Sequence, residues 1–222
     1  MLGFQWKHFA NFNLAIKDNL EIIVVDDGSK SHPAKLVNRP EGLPAFSIFR
    51  ILHDIRWNQD AARNIGAHEA RAPWLLLTDI DHLVPEQTLS DLYVMRKNEK
   101  SFYSFPRIKY GGQGPTVPHR NSYFMAKTLY WKIGGHDEDF AGIYGKDILF
   151  RKRANRLAEE RFLSDSPLIR LGTETIRDAG THTISRENSL ARRVWGYLLE
   201  FLKKLGLWRG VQTLKCEYTK VH

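Results

Sequence analysis

The chain has 222 residues, of which 42% are hydrophobic and 12% aromatic, and its formal net charge is +8 at pH 7. This composition is typical of a chain with a packed core and excludes wholesale disorder, and the length suits one large α/β domain with a tail. No apolar run is long enough to cross a bilayer, and we expect that the N-terminus is not a secretory signal. A single cysteine, Cys216, excludes an intrachain disulfide, and we expect a cytoplasmic setting.

The spacing of apolar residues predicts helices and strands in alternation. Helices, in which apolar residues recur every three or four positions, are predicted over 4–16, 60–70, 86–98, 127–133, 147–163 and 189–205. Strands, which are short apolar or β-branched runs, are predicted over 20–25, 46–51, 74–77, 102–108, 122–125 and 168–176. This alternation favours an α/β fold with a mostly parallel sheet flanked by helices. We assign residues 1–185 to the domain and 186–222 to a basic amphipathic helix and its tail.

Acidic residues follow two of the predicted strands, at the ends where an open α/β sheet binds its ligand. Asp79 and Asp81 carry carboxylates that repel each other, and a divalent ion relieves the repulsion, so the pair predicts a Mn²⁺ or Mg²⁺ site that also binds diphosphate oxygens. Two solvated acids in a loop are the alternative. Asp26 or Asp27 can accept hydrogen bonds from a base or a ribose hydroxyl, but the Asp-Gly-Ser sequence also fits an ordinary Asx turn.

Two further residues are candidates for the same site, each with a structural alternative. Arg63 can pair with Asp60 on its own helix or reach a phosphate. Asp147 begins a helix after a glycine-rich segment, where an N-terminal cap and a general base are equally suitable roles. His82 is either a neighbour of this site or a polar loop residue, and we favour the loop residue.

Taken in order, these segments resemble the family-2 glycosyltransferases, which have the GT-A fold. The resemblance is carried by residues 21–29 (Glu-Ile-Ile-Val-Val-Asp-Asp-Gly-Ser), 62–66 (Ala-Arg-Asn-Ile-Gly), 78–81 (Thr-Asp-Ile-Asp) and the glycine-rich stretch 134–147. It covers residues 1–185 and implies transfer of a sugar from a nucleotide sugar, usually a UDP-sugar, to an acceptor hydroxyl. The acceptor would be a glycan or a lipid-linked molecule.

The resemblance also implies roles for individual residues. The nucleotide-sugar site would be formed by Asp26, Asp27, Arg63, Asp79 and Asp81. Asp147 would be the general base of an inverting transfer. The metal ligands would be Asp79 and Asp81, with His182 as a candidate for a third, although we favour a surface histidine as the explanation of His182.

Two features depart from the family pattern. The chain opens inside the segment that corresponds to the family's first helix, so we expect the preceding strand to be absent and an apolar strand edge to be unpaired. Lys146 stands where many relatives carry an acid, and we expect it to favour the ionised form of Asp147.

The predicted helix at 189–205 has an apolar face flanked by basic residues. Its apolar residues are Leu190, Val194, Leu198, Phe201, Leu202 and Leu205. Such a helix either lies on the anionic inner face of a membrane or docks on the domain.

Other functions remain open at this point. The absent strand leaves room for a nucleotide-sugar-binding protein without turnover. An Asp-x-Asp phosphotransferase of the haloacid dehalogenase type is the other enzyme class. Nucleic-acid binding would explain the charge of +8 but not the acidic strand ends, so we expect no nucleic-acid partner.

Overall fold

The structure is a computed structural model, and it describes residues 1–30, 33–55, 57–111, 117–143, 145–172, 174–176 and 190–222. Its helices are α1 (Leu2–Ala10), α2 (Leu14–Lys17), α3 (Gln59–Glu69), α4 (Glu86–Val94), α5 (Lys127–Ile133), α6 (Ile148–Leu157) and the C-terminal helix (Leu190–Lys204), with 3₁₀ turns at Ala34–Leu36 and Glu138–Phe140. Its strands are β1 (Glu21–Asp26), β2 (Ala45–Ile51), β3 (Trp74–Leu77), β4 (His82–Leu83), β5 (Ser101–Ser104), β6 (Pro106–Lys109), β7 (Val117–Pro118), β8 (Tyr123–Ala126), β9 (Glu159–Phe162), β10 (Leu168–Arg170) and β11 (Tyr218–Lys220). The α/β prediction is confirmed.

The strands form three sheets, of the orders β1-β2-β11, β4-β10-β6-β7 and β3-β8-β5-β9. Three pairings between described strands are parallel and five are antiparallel, so the sheets are more mixed than the alternation of elements predicted. β8 runs opposite to both of its neighbours, and β11 joins β2 in the opposite direction. Apolar spacing identifies strands but carries no information on the direction of their neighbours, which explains the difference.

Several predicted elements have different limits in the structure. The helix predicted over 4–16 is divided into α1 and α2, because the Oδ1 of Asn13 accepts a hydrogen bond from the Ile16 backbone N–H at 3.0 Å and caps a new helix. The strand predicted over 102–108 is two strands of different sheets, separated by the fully buried Phe105. The helix predicted over 147–163 ends at residue 157, since residues 159–162 pair with β5 as a parallel strand. The predictions over 86–98 and 168–176 likewise extended too far.

The apolar strands β1 and β3 each lie at the edge of a sheet. β1 is apolar on both faces, which is typical of a central strand, yet within the described ranges it pairs with β2 alone. Residues 22–25 of β1 and residues 76–78 at the end of β3 line one cavity of about 1190 Å³. Successive side chains of a strand point to opposite faces, so a cavity lined by consecutive residues lies alongside the strand edge. Within the described ranges, the outer edges of β1 and β3 therefore border this cavity.

Helix α3 brings the ends of β1 and β3 together. Ala61 and Ile65, which have no exposed surface, pack against Ile23 and Val25 of β1. The small side chains of this helix allow it to lie close to the strand. Its N-terminal end therefore lies beside the acidic residues that follow β1 and β3.

The residues after the C-terminal helix return to the sheet. β11 pairs antiparallel with β2. Glu138, which is buried, accepts hydrogen bonds from the backbone N–H groups of Leu214 at 2.6 Å and Lys215 at 2.8 Å. Asp139 is paired with Arg209 and Lys215, each at 2.6 Å. These contacts hold the tail against the segment that precedes α6.

Candidate functional site

Asp27 and Asp79 are held by two neighbouring residues at the start of α3. Asp27, which follows β1, accepts a hydrogen bond from the backbone N–H of Asn58 at 3.0 Å. Asp79, which follows β3, accepts one from the side-chain amide of Gln59 at 2.6 Å. Both carboxylates line the 1190 Å³ cavity, so the two acidic segments predicted from the sequence meet in one site.

Asp26 and Asp27 have different surroundings. Asp26 is buried, and its two oxygens accept hydrogen bonds from the backbone N–H groups of Ser29 and Ala34, both at 2.8 Å. It stabilises the turn after β1 and is not among the described residues that line the cavity. Asp27 lines the cavity, and its Oδ1 is buried without a hydrogen-bond partner in the described part of the chain.

The pKa of Asp27 is raised to about 7. Burial is the main cause, and it outweighs the hydrogen bond from Asn58, which acts in the opposite direction. The negative charges of Asp54 and Asp26 raise the pKa further. Asp27 therefore offers a buried acceptor oxygen whose charge changes near neutral pH.

Arg63 pairs with Asp79 rather than with Asp60. Its NH2 group donates to Asp79 Oδ1 at 2.6 Å, whereas Asp60 pairs with His136 at 3.0 Å. Burial disfavours the charge of Arg63, but Asp79 more than compensates and the pKa of the guanidinium is raised. The NH1 group of Arg63 is buried and has no hydrogen-bond partner among the residues described, so one donor group remains for an anionic ligand.

Asp81 lies beside His82 rather than beside Asp79. Its Oδ1 is 2.7 Å from His82 Nδ1, and its Oδ2 is 3.9 Å from Arg170 Nε. Burial alone would raise the pKa of Asp81, but the hydrogen bond with His82 and the charges of His82 and Arg170 hold it below its usual value. Our interpretation of His82 as a polar loop residue is wrong, because the pairing of β4 with β10 leaves it only 2% exposed.

His119, which the sequence analysis missed, also lies in this cluster. Its Nε2 is 3.5 Å from Asp79 Oδ2, and its ring stacks on that of His82 with the centroids 4.0 Å apart. Burial lowers the pKa of His119 to about 4, and the neighbouring His82 contributes, so the imidazole is neutral at pH 7. No local pattern distinguishes this histidine, because it enters the site only through the long-range packing of the segment after β7.

These residues bear directly on the predicted metal site. Asp79, His82 and His119 each offer one ligand atom, and the three atoms lie within 4.8 Å of one another. Two imidazole nitrogens and a carboxylate oxygen fit a divalent transition-metal ion. Asp81, predicted as a ligand, directs its oxygens at His82 and Arg170 instead. His182, the predicted third ligand, lies outside the described residues.

Asp147 lines the same cavity and does not cap its helix. Its carboxylate makes no capping hydrogen bond to the described backbone of α6; its partner is the side chain of Asn121. Burial raises the pKa of Asp147, with Arg63 opposing this effect and Asp60 adding to it. A carboxylate with a raised pKa is a stronger base than one in water, which suits proton abstraction.

The expected influence of Lys146 on Asp147 is wrong. The Lys146 ammonium group pairs with Glu200 at 2.8 Å and lies 4.2 Å from the centroid of the Tyr197 ring, both in the C-terminal helix. The lysine therefore points away from the cavity, and the pKa of Asp147 is raised rather than lowered.

The sequence profile of glycosyl transferase family 2 matches residues 9–157. The match covers more than half of the chain, and the chain therefore belongs to this family. A search of curated protein sequences finds no match.

Solved structures of S. aureus TarS have the same fold. TarS 1–349 has a TM-score of 0.56 at 18% identity, over 79% of this chain and 60% of that one. TarS itself gives 0.57 at 16% identity, over 90% and 41% of the two chains. TarS 1–349 in complex with UDP gives 0.57 at 17% identity, over 92% and 70%. The chain thus spans less than two thirds of the length of the first two structures, and the likeness establishes the GT-A fold.

Proposed function

We propose that this chain transfers a sugar from a nucleotide sugar, with a UDP-sugar as donor, to an acceptor hydroxyl. The observation that carries the proposal is the convergence of Asp27, Arg63, Asp79 and Asp147 on one cavity at the ends of β1 and β3. Family membership supports glycosyl transfer, and the UDP bound to TarS 1–349 supports uridine diphosphate as the leaving group. Membership also disfavours the phosphotransferase alternative.

The donor would be bound by groups that lack partners in the described chain. The unpartnered Oδ1 of Asp27 can accept a hydrogen bond from the imide N–H of uracil or from a ribose hydroxyl. The unpartnered NH1 of Arg63 can donate to a diphosphate oxygen. Asn58 donates a hydrogen bond to Asp27, and its neighbour Gln59 donates one to Asp79. These two bonds fix the distance between the carboxylates of Asp27 and Asp79.

The transfer would proceed by in-line displacement. The oxygen of the acceptor hydroxyl attacks the anomeric carbon, and Asp147, which is hydrogen-bonded to Asn121, takes the proton of that hydroxyl. The bond from that carbon to the diphosphate breaks, the electron pair leaves with UDP, and the configuration inverts. A divalent cation near Asp79, when bound, supplies positive charge to the departing diphosphate. The guanidinium group of Arg63 adds a fixed positive charge at the same place. As a positioned base, Asp147 contributes about 10²–10⁴-fold to the rate.

The C-terminal helix supports an acceptor linked to lipid. Its buried face carries Gly196 and Leu199, and Leu199 packs on Phe140 and Ile143. The opposite face carries six apolar side chains, each at least 45% exposed: Leu190, Val194, Tyr197, Leu198, Phe201 and Leu205. No helix in the described ranges is long and apolar enough to cross a membrane. An outward apolar face with basic flanks fits the surface of an anionic bilayer, so we propose peripheral contact with the inner face of a membrane.

The membrane proposal is tested by sedimentation with vesicles. We expect binding to vesicles that contain anionic lipid, weaker binding at high salt, and loss of binding in Phe201→Glu. Phe162→Glu, a change at an exposed phenylalanine of β9, is the matched control. Failure of the wild type to bind anionic vesicles at low salt would contradict the proposal. Self-association that Phe201→Glu abolishes would assign the face to a second copy instead.

The donor site is tested by calorimetric titration with UDP, with and without Mn²⁺. We expect binding that Mn²⁺ strengthens and that Asp79→Asn loses. Asp165→Asn, which changes an exposed carboxylate, should leave binding intact. Absence of UDP binding by the folded wild type would refute the donor site. UDP binding without release of sugar from any UDP-sugar would favour the alternative of a binding protein without turnover.

A further inference from the structure

His82 and His119 lie beside Asp79, and one ligand atom of each of these three residues lies within 4.8 Å of the other two. The Nε2 of His82 is buried, on a side chain 2% exposed, and has no hydrogen-bond partner in the part of the chain that the structure describes. A buried polar atom without a hydrogen-bond partner destabilises the folded state, so a ligand bound to this nitrogen would remove that cost. The Nε2 of His119 is 3.5 Å from Asp79 Oδ2.

Both imidazoles are oriented through their other ring nitrogen. The Nδ1 of His82 bonds with Asp81 at 2.7 Å, and the Nδ1 of His119 bonds with the hydroxyl of Ser122 at 2.7 Å. That hydroxyl in turn donates to Thr78 at 3.2 Å. Metal-binding histidines typically have such a partner, because it fixes the tautomer and aims the free nitrogen at the ion.

The carboxylate of Asp79 has one oxygen available. Its Oδ1 accepts hydrogen bonds from Gln59 and Arg63, both at 2.6 Å, whereas its Oδ2 faces His119. Asp81 lies outside this cluster: its Oδ1 bonds with His82 Nδ1 at 2.7 Å, and its Oδ2 is 3.9 Å from Arg170 Nε. Each of the three remaining groups thus contributes one ligand atom.

We infer that Asp79, His82 and His119 hold a divalent transition-metal ion, and that Asp81 orients His82 instead of binding the ion. Imidazole nitrogens favour ions such as Co²⁺ and Zn²⁺, whereas Mg²⁺ prefers an all-oxygen octahedron. Ligands at 2.0–2.1 Å from one tetrahedral ion are about 3.3 Å apart, so the cluster contracts when the ion binds. Coordination positions beyond these three remain for diphosphate oxygens. The inference places the ion in the proposed donor site but concerns metal binding alone.

The test uses Co²⁺ alone and the full chain, followed by visible absorption. We expect Co²⁺ to bind at least tenfold more tightly than Mg²⁺, with absorption bands typical of nitrogen ligands. His82→Gln and His119→Gln should each lower Co²⁺ affinity by tenfold or more, and His53→Gln, at an exposed histidine, should not. Asp81→Asn should lower affinity about 10–100-fold while the spectrum keeps its shape.

Other outcomes would overturn the inference. Equal affinities for Co²⁺ and Mg²⁺, or Co²⁺ affinity that neither histidine variant changes, would assign the ion to Asp79 and Asp81. A changed Co²⁺ spectrum in Asp81→Asn would make Asp81 a direct ligand. Because no nucleotide is present, these results stand apart from the UDP titration. Thermal unfolding of each variant without metal checks that a loss of affinity does not come from misfolding.

Discussion

The buried carboxyl group of Asp27 makes the binding of a uracil base depend on pH. With a pKa of about 7, roughly one Asp27 carboxyl in ten is ionised at pH 6 and roughly nine in ten at pH 8. Only the ionised form offers both oxygens as acceptors. We therefore expect uridine to bind about tenfold more tightly at pH 8 than at pH 6.

Uridine is the suitable probe because it has no phosphate group that titrates in this range. Its affinity is measured by nuclear magnetic resonance titration at pH 6, 7 and 8, in the wild type and in Asp27→Asn. The variant should show no pH dependence, since the amide does not ionise. Equal affinity of the wild type at pH 6 and pH 8 would refute the assignment of Asp27 to the base.

The same raised pKa has a consequence for stability. Folding favours the neutral carboxyl, because the pKa of Asp27 in the folded chain lies above its ordinary value of 3.8. This stabilisation is complete below about pH 4 and is lost as the pH rises through 7. The difference between the ordinary and the raised pKa of Asp27 corresponds to about 1.4 kcal/mol per pKa unit. With a reduction for partial exposure, the free energy of unfolding falls by about 2–4 kcal/mol. Asp27→Asn should raise the free energy of unfolding at pH 8 by that amount and leave it unchanged at pH 4.

Three further predictions concern the neighbouring residues. Asp147→Asn should lower kcat by about 10²–10⁴-fold and leave UDP affinity unchanged; release of UDP in the presence of acceptor measures the first and calorimetry the second. Asp79→Ala should lower the free energy of unfolding, measured by urea denaturation, by about 2–4 kcal/mol, because Arg63 remains buried without its partner. A further Arg63→Met change should recover most of this loss. Glu138→Gln should cost about 2–3 kcal/mol and accelerate hydrogen exchange in the tail; unchanged exchange would contradict the role of Glu138 as an anchor.

Much of the fold was predictable because the relevant signals are local. The apolar runs at β1 and β3, and the acids that follow them, reflect the backbone periodicity of a few residues. The break at Phe105 and the strand β9 depend on which segments pair across the sheet, and residues 159–162 acquire their conformation from β5. Apolar spacing within one segment does not indicate which other segment will pair with it.

In the candidate site, too, residues marked by local sequence signals were predicted, and residues placed by long-range contacts were not. Asp27, Asp79 and Asp147 were identified from the ends of the elements they follow or begin, and the structure brings them to one cavity. His119 enters through packing between distant segments, and Lys146 is drawn away by Glu200, some fifty residues later in the sequence. Contacts of this kind depend on the completed fold and leave no trace in the neighbouring sequence.

The pairing of β11 with β2 has a consequence for biosynthesis. β2 ends at residue 51, whereas β11 begins at residue 218, so at about 5–20 residues per second β2 waits roughly 10–30 s for its neighbour. During translation its apolar edge has no neighbour on that side and is exposed to other nascent chains. The sheet that carries Asp27 is therefore completed only after residues 218–220 have been synthesised, and we expect chaperones to be most needed in that interval.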